Sequence, residues 1–421
     1  MTEEFKPLIK NKKFVLVWFS QILSQLTINI VTFLLITTLF SQTGSAIATS
    51  LLWISFAIPA IVLGPFAAAT VDMVDKRKLL MATNFLQALT VLGYALLKSE
   101  NFFLPYGVVM TYSLLNQFYL PAESATIPSI VSKKLLPIAN GLFFITQQSA
   151  LVLGFGLAGV INHFLGYQNS LFLCSIFLFA AFISVSFLPK LRAEDTIPKS
   201  VEEAFSKFFT RIVDGYNFIK ENNRILVPFL LLVALQVAGS ILAVNIPAFA
   251  AGVLGVNVNS AGVLIVVPSG LGALLAAFFF PKLLKRGLRK RKLIEDSLLA
   301  LSLTFLLLAL LVPQFHNGTR ILFSSLTVFL LGMSFVGIVI PSQTFLQEAT
   351  PGGLRGRVFG NFWFIVTIAT LLPVLFSGAI TEILGVKMLL VILGLTSIAG
   401  LVFAKKYAYR LVQKPLNGQN V

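Results

Sequence analysis

Residues 347–362 read QEATPGGLRGRVFGNF, and within them PGGLRGR sets a proline, three glycines and two arginines in one short gap between apolar runs. A basic, glycine-rich loop can cradle a phosphate, touch nucleic acid, or turn a chain at a membrane surface. The surrounding sequence decides among these. On either side lie apolar runs, 320–346 and 357–381, each long enough to cross the ~30 Å of bilayer hydrocarbon at about 1.5 Å per residue. Runs of this kind recur at 14–40, 46–70, 79–97, 102–125, 138–162, 168–188, 225–251, 260–281, 293–312 and 386–404. The pattern predicts an all-α integral membrane protein with twelve transmembrane helices. Composition agrees, since 57% of residues are hydrophobic, mean hydropathy is +0.90, and only 11% are charged against roughly 25% in soluble domains.

The net charge of +16 would point to nucleic acid in a soluble protein. Its placement points elsewhere. With the N-terminus in the cytoplasm, 29 of the 32 Lys and Arg residues fall on the inner side, leaving only Lys98, Arg320 and Lys387 outside. That is the positive-inside bias, so both termini are expected in the cytoplasm and no nucleic-acid partner is expected. MTEEFKPLIKNKKF has no short apolar core ending in small residues, so no cleavable signal is expected before the first span. The lone Cys174 lies in an apolar run, which leaves no disulfide framework or thiolate metal site to expect.

Between the sixth and seventh runs lies the longest polar break, and it divides the chain into bundles at 1–188 and 224–421 joined by a linker at 189–223. In the linker, Ser200 and Glu203 form a capping-box pattern, and Val201, Ala204, Phe205, Phe208, Ile212, Tyr216 and Ile219 recur at helical spacing. An amphipathic helix on the membrane surface and a solvated linker helix both fit. The halves echo each other: PAESATIPSIVSKKLLPIANGLF (121–143) has the layout of PSQTFLQEATPGGLRGRVFGNFW (341–363). Internal repeats of this kind mark secondary transporters.

On TGSAIATSLLWISFAIPAIVLGPFAAATVDMVDKRKLL, PAESATIPSIVSKKLLPIANGLF and PGGLRGRVFG, the chain resembles the major facilitator superfamily. More narrowly, it resembles the bacterial branch with macrolide-efflux, enterobactin-exporter and lysophospholipid-transporter proteins. The resemblance implies two pseudo-symmetric six-helix bundles, a rocker-switch mechanism, and a prokaryotic plasma membrane as location. It also implies a loop motif after the second span, Gly-x-x-x-Asp-Arg/Lys-x-Gly-Arg/Lys-Arg/Lys. Asp72, Lys76 and Arg77 match that motif, while Ala68, Met73 and Asp75 depart from it. Asp72, Lys76 and Arg77, with Arg355 and Arg357 across the chain, are therefore candidates for a cytoplasmic gate. The alternative reading of the two arginines is that they are ordinary positive-inside anchors.

Polar residues within the runs form the other informative class, since in hydrocarbon they usually face the bundle interior or a wet cavity. Gln21, Gln25 and Asn29 stand four residues apart and share one helical face. Tyr112, Asn116, Gln117, Gln147, Gln236, Asn245 and Ser334 lie in other runs. In the resembled fold, spans one, four, seven and ten line the substrate cavity, which makes these residues candidate lining. For any one of them, an interhelical hydrogen bond is the competing reading.

No charged residue sits near a run's centre, so the proton-coupling candidates are Asp72, Glu123 and Glu348 near run ends. The glycines of LGFGLAG match a dinucleotide fingerprint in spacing alone, because no strand precedes them and small residues in a membrane helix serve close packing. With two His and one Cys, neither a metal site, a cofactor nor an enzyme is expected. The sequence thus predicts a monomeric secondary transporter in the lipid bilayer that exports an amphipathic or hydrophobic small molecule, with protons as a candidate coupling ion. A lipid flippase and a non-transporting receptor or scaffold are the alternatives.

Overall fold

The computed structural model describes residues 2–71, 74–97, 101–132, 135–191, 210, 213, 216–217, 219–220, 223–350 and 352–412. All regular structure among them is helical. A short α1 (Thr2–Lys10) leads into α2 (Lys12–Thr43), α3 (Ala46–Val71), α4 (Lys76–Leu97), α5 (Leu104–Ile130), α6 (Leu136–Leu165) and α7 (Tyr167–Ser186). After the linker come α8 (Asn223–Val244), α9 (Val267–Lys285), α10 (Lys290–Leu306), α11 (Asn317–Ala349), α12 (Gly352–Leu384) and α13 (Val386–Val412). Eleven stretches among the described residues are long and apolar enough to cross a membrane. The twelfth long helix is α5, whose 27 residues give it a length of about 40 Å, but which carries Asn116, Gln117, Glu123 and interior prolines at 121 and 128.

The ends of the helices follow from local chemistry. Asn11 starts α2 by accepting from the N–H groups of Lys13 and Phe14, and its amide donates to the Ile130 carbonyl at 2.8 Å, tying that end of α2 to the end of α5. Gly44 stops α2 with a left-handed φ of 66° that a side chain would resist. In the stretch PGGLRGR the turn is tighter than its glycines suggest. Thr350 is extended (φ −100°, ψ 123°), as a residue before proline must be, and α12 already begins at Gly352. In the second half the expected runs 225–251, 260–281 and 293–312 are interrupted. The seventh breaks at Asn245, and π-helical turns occupy Ala250–Leu254, Gly262–Val266 and Leu307–Leu311. The expected linker helix over 189–223 lies mostly outside the described residues. Within it Ile219 is buried with Ile225, Phe229 and Phe362, whereas Val213 and Tyr216 are exposed.

The chain forms two compact units: Met1–Gly44 with Leu51–Phe208, and Ser45–Ser50 with Phe209–Val421. Inside the first, α2 packs on α5, α6 and α7, and α4 packs on α5 and α7. Inside the second, α8 packs on α11, α12 and α13, and α10 packs on α11 and α13. An offset of six helices turns one partner list into the other, which is the pseudo-symmetry expressed as packing. One pairing breaks it: α9 lies much closer to α11 than α3 does to α5. The cause is a reciprocal pair of glycines. A Cβ on Gly272 would strike the Phe329 carbonyl, and one on Gly332 would strike the Ser269 carbonyl, so only glycine lets these backbones meet.

Candidate functional site

Three helices of the first unit bring polar side chains to one buried place. α2 contributes Ser20 and Ser24, α4 contributes Asn84, and α5 contributes Tyr119 and Glu123, the residues of each pair being four apart and so on one face. Glu123 is 5% exposed and the other four are more buried still. Apolar residues close around the group: Phe14, Val17, Leu80, Ala122, Ile127, Ala139 and Phe143 belong to the same core. Glu123 lies seven residues, about 10 Å, inside the end of α5. It is thus a buried residue within α5, two turns before the helix ends, although it stands near the end of the expected run 102–125.

The hydrogen bonds of this cluster have a direction. Ser24 Oγ donates to Asn84 Oδ1 at 2.9 Å, and Asn84 Nδ2 donates to Ser20 Oγ at 3.1 Å. Ser24 therefore spends its one proton on the amide, while Ser20 keeps its own. The Tyr119 hydroxyl lies beside both serines and donates to Glu123 Oε1 at 2.8 Å. Two runs of donors result, Ser24 to Asn84 to Ser20 and Tyr119 to the carboxyl, and the proton that Ser20 keeps lies beside the phenol oxygen that begins the second. Among the described residues no cation forms an ion pair with Glu123. One turn further along α4, Gln87 is buried with neither amide atom paired, and Gln21 Oε1 on α2 is likewise unpaired.

The residues singled out from the sequence fall in varied places. Gln21 and Gln25 are buried, with Gln21 Nε2 donating to the Phe143 carbonyl of α6 at 3.1 Å. Asn29 returns its amide to the Gln25 carbonyl at 2.7 Å, and Gly154 of α6 packs against its Cβ, which absorbs the first glycine of LGFGLAG into helix contact. Tyr112 is buried, Asn116 and Gln117 are half-buried, and Gln147 is exposed. Gln117 Nε2 donates to the Ser113 carbonyl at 3.2 Å. In the second unit Gln236 is half-buried, and Ser334 is buried with its hydroxyl on the Leu330 carbonyl of its own helix. Asn245 joins helices: its Nδ2 donates to Ser377 Oγ at 2.9 Å, and its Oδ1 accepts from Thr381 Oγ1 at 2.8 Å. Its Nδ2 also donates to the Ile241 carbonyl of α8 at 2.9 Å, so the amide joins the break after α8 both to α8 and to α12.

Of the gate candidates, Asp72 lies outside the described residues. Arg355 and Arg357 lie in the first turns of α12, with side chains outside them as well. Arg77 donates through Nη2 to the Ser186 carbonyl, and the Lys76 N–H reaches the Leu191 carbonyl at 3.3 Å, so the start of α4 is bound to the end of α7. A guanidinium there also meets the negative end of α7's dipole. Glu348 is exposed and ion-paired with Lys290. Among the described residues no group of three His, Cys, Asp or Glu side chains could hold a metal ion. Ser20, Ser24, Asn84 and Tyr119 escaped sequence reasoning, although Ser20/Ser24 and Tyr119/Glu123 each repeat at i, i+4, and the serines flank the Gln21, Gln25, Asn29 stripe.

The family model of the Major Facilitator Superfamily matches residues 17–374. The chain is 28% identical over 398 residues to the uncharacterized MFS-type transporter YfiS of Bacillus subtilis (strain 168), covering 90% of each. It is 24% identical over 407 residues to YfmI of the same organism, another uncharacterized MFS-type transporter, covering 93% of this chain and 96% of that one. Among solved structures, a variant of the nucleoside transporter NupG superposes with a TM-score of 0.74 at 14% identity, covering 94% of this chain and all of that one. A bacterial homolog of the human lysosomal transporter Spinster gives 0.71 at 13% identity, covering 97% and 99%. At such identities the structural likeness establishes the fold.

Proposed function

The chain belongs to the Major Facilitator Superfamily and is a multi-pass membrane transporter, and from that premise we propose that it exports amphipathic or hydrophobic small molecules by rocker-switch alternating access. One observation carries the choice of substrate class: Lys76 and Glu123 are the only charged side chains fully buried among the described residues. The remaining polar candidates are neutral amides and hydroxyls. Apart from Lys76, at the start of α4, these described interiors hold no buried cation of the kind that clamps phosphate or carboxylate, and sparse amides on an apolar wall suit a greasy molecule with a few polar atoms. The distribution of Lys and Arg supports both termini in the cytoplasm, and the similarity to Bacillus subtilis transporters supports a prokaryotic plasma membrane.

The test is ligand-induced stabilisation of the purified full chain. A compound that binds the folded protein raises its melting temperature, by about 2.7 kcal/mol of stability at a hundredfold excess over Kd. Ethidium, tetraphenylphosphonium and erythromycin are expected to raise it, whereas uridine, glucose and phosphate leave it unchanged. A response to uridine alone would overturn the substrate class. A response to lysophospholipid alone would favour a lipid flippase, and no response to any of them would favour a scaffold.

A further inference from the structure

We propose that Glu123 is the proton-binding site of the transport cycle, fed through Tyr119 and Ser20, with Asn84 as the residue that orients the feed. This rests on the transporter reading above and adds to it the coupling ion and its place. The argument begins with elimination. Among the acidic residues described, Glu348 is exposed and held by Lys290, Glu295 is held by Arg291, Asp75 caps the Arg77 N–H, and Asp296 and Glu382 are exposed. Among the acidic side chains described, Glu123 alone is buried.

A carboxyl in this position can be kept in both of its protonation states. As a carboxylate unpaired with any cation among the described residues, it carries a desolvation penalty of several kcal/mol, which uptake of a proton removes. When it is ionised, the Tyr119 hydroxyl already points a hydrogen bond at it, and charge-assisted bonds of that kind are roughly twice as strong as neutral ones. Two tolerable states are what a carrier needs and what a purely structural buried acid does not.

The titratable groups on the helices packed against α5 leave this balance to Tyr119. On α2 they are Lys12 and Lys13, both exposed; on α4 they are Lys76, Arg77, the exposed Lys78 and Tyr94; on α6 it is the exposed His163 near the opposite end. Arg77 is occupied by the Ser186 carbonyl and Tyr94 by Tyr167. On α5 itself Tyr106 and Tyr112 lie toward the other end, with Tyr112 seven residues before Tyr119. Lys133 and Lys134 are outside the described residues.

The transfer takes its proton from water. Tyr119 passes its hydroxyl proton along the existing bond to Glu123 Oε1, and takes the Ser20 proton in its place. Asn84 orients Ser20 but gives up no proton, so Ser20 is reprotonated by water admitted in an open state; one proton enters at Ser20 and one arrives at the carboxyl. Asn84 decides which serine can feed Tyr119, because it accepts from Ser24 and donates to Ser20.

The test uses the full chain in liposomes, in two arms. In the first, infrared difference spectra between acidic and alkaline buffer are expected to show a protonated-carboxyl band that disappears in Glu123→Gln. This arm needs no substrate. In the second, ethidium accumulation under an imposed pH gradient, expected at about tenfold per pH unit for one proton exchanged per ethidium, falls to unity in Glu123→Gln. That loss is expected to exceed any loss of ethidium counterflow measured without a gradient. Ser20→Ala is expected to slow the accumulation while leaving its final level. A carboxyl band unchanged in Glu123→Gln, or accumulation that persists in it, overturns the proposal. Absence of counterflow for every probe in the parent protein would instead overturn the transporter reading, while the infrared arm still judges Glu123 by itself.

Discussion

Tyr119 donates to Glu123 across one turn of α5 at 2.8 Å, with both side chains buried. This bond joins a carboxyl that has no cation partner among the described residues to a phenol lying beside the Ser24, Asn84 and Ser20 bonds of α2 and α4. Tyr119→Phe keeps the ring and removes the donor, leaving the carboxyl oxygen short of a partner. The expected cost is about 1 to 3 kcal/mol of stability, read as a lowered melting temperature of the detergent-purified protein. A melting temperature equal to the parent's would mean that the hydroxyl is not held in that bond.

Asn84→Ala removes both amide contacts at once and opens a small void, so it is expected to destabilise more than Tyr119→Phe does. The double variant should fall short of the summed losses, because the residues belong to one network. A double-mutant cycle by thermal unfolding measures this. Strict additivity would mean that the serines do not connect the amide to the phenol.

The glycine pair of α9 and α11 gives a packing prediction. Gly272→Val or Gly332→Val drives a side chain into a facing backbone carbonyl, and backbone cannot step aside as a flexible side chain can. Loss of the monodisperse peak in size-exclusion chromatography is expected for both. Gly318→Ala on the same α11 meets no atom within 4 Å and should behave like the parent. A well-behaved Gly332→Val protein would show that the close approach is not required.

Gln25 and Asn245 are expected to part company. Asn245→Leu breaks a bridge to Ser377 and Thr381, worth roughly 0.6 kcal/mol per bond in a membrane and up to about 1.7. It should lower stability and transport of all compounds alike. Gln25→Leu, whose side chain is not committed to such a bridge, is expected to change the ranking of compounds at near-parent stability. Transport rates for ethidium and erythromycin, normalised to the amount of folded protein, check the pair. The reverse pattern would exchange their roles.

The contrast between these two amides shows what the sequence could reveal. Length and hydropathy of the runs located the long helices, because crossing a bilayer sets a minimum apolar length that few other structures meet. The long polar break and the repeated layouts at 121–143 and 341–363 pointed to two halves. What a side chain touches was not legible, since the period of a helix gives its face but not its neighbour. Asn245 looked like cavity lining and is a bridge inside its unit. Ser20, Ser24 and Asn84 looked like ordinary small polar residues, and only the packing of α2 and α4 against α5 joins them to Glu123. The turn at PGGLRGR was overread for a related reason: glycine permits a loop but does not require one, and α12 runs through Gly352 and Gly353.

The central claim is that this chain moves amphipathic molecules by alternating access, and counterflow tests it most directly. Proteoliposomes of the parent protein are loaded with unlabelled ethidium or erythromycin, diluted into trace labelled compound without any ion gradient, and sampled over time. The account predicts a transient overshoot of label inside the vesicles that is absent from protein-free liposomes and not produced by preloading with glucose. Folded, monodisperse protein that gives no overshoot with any of the amphipathic compounds would contradict it.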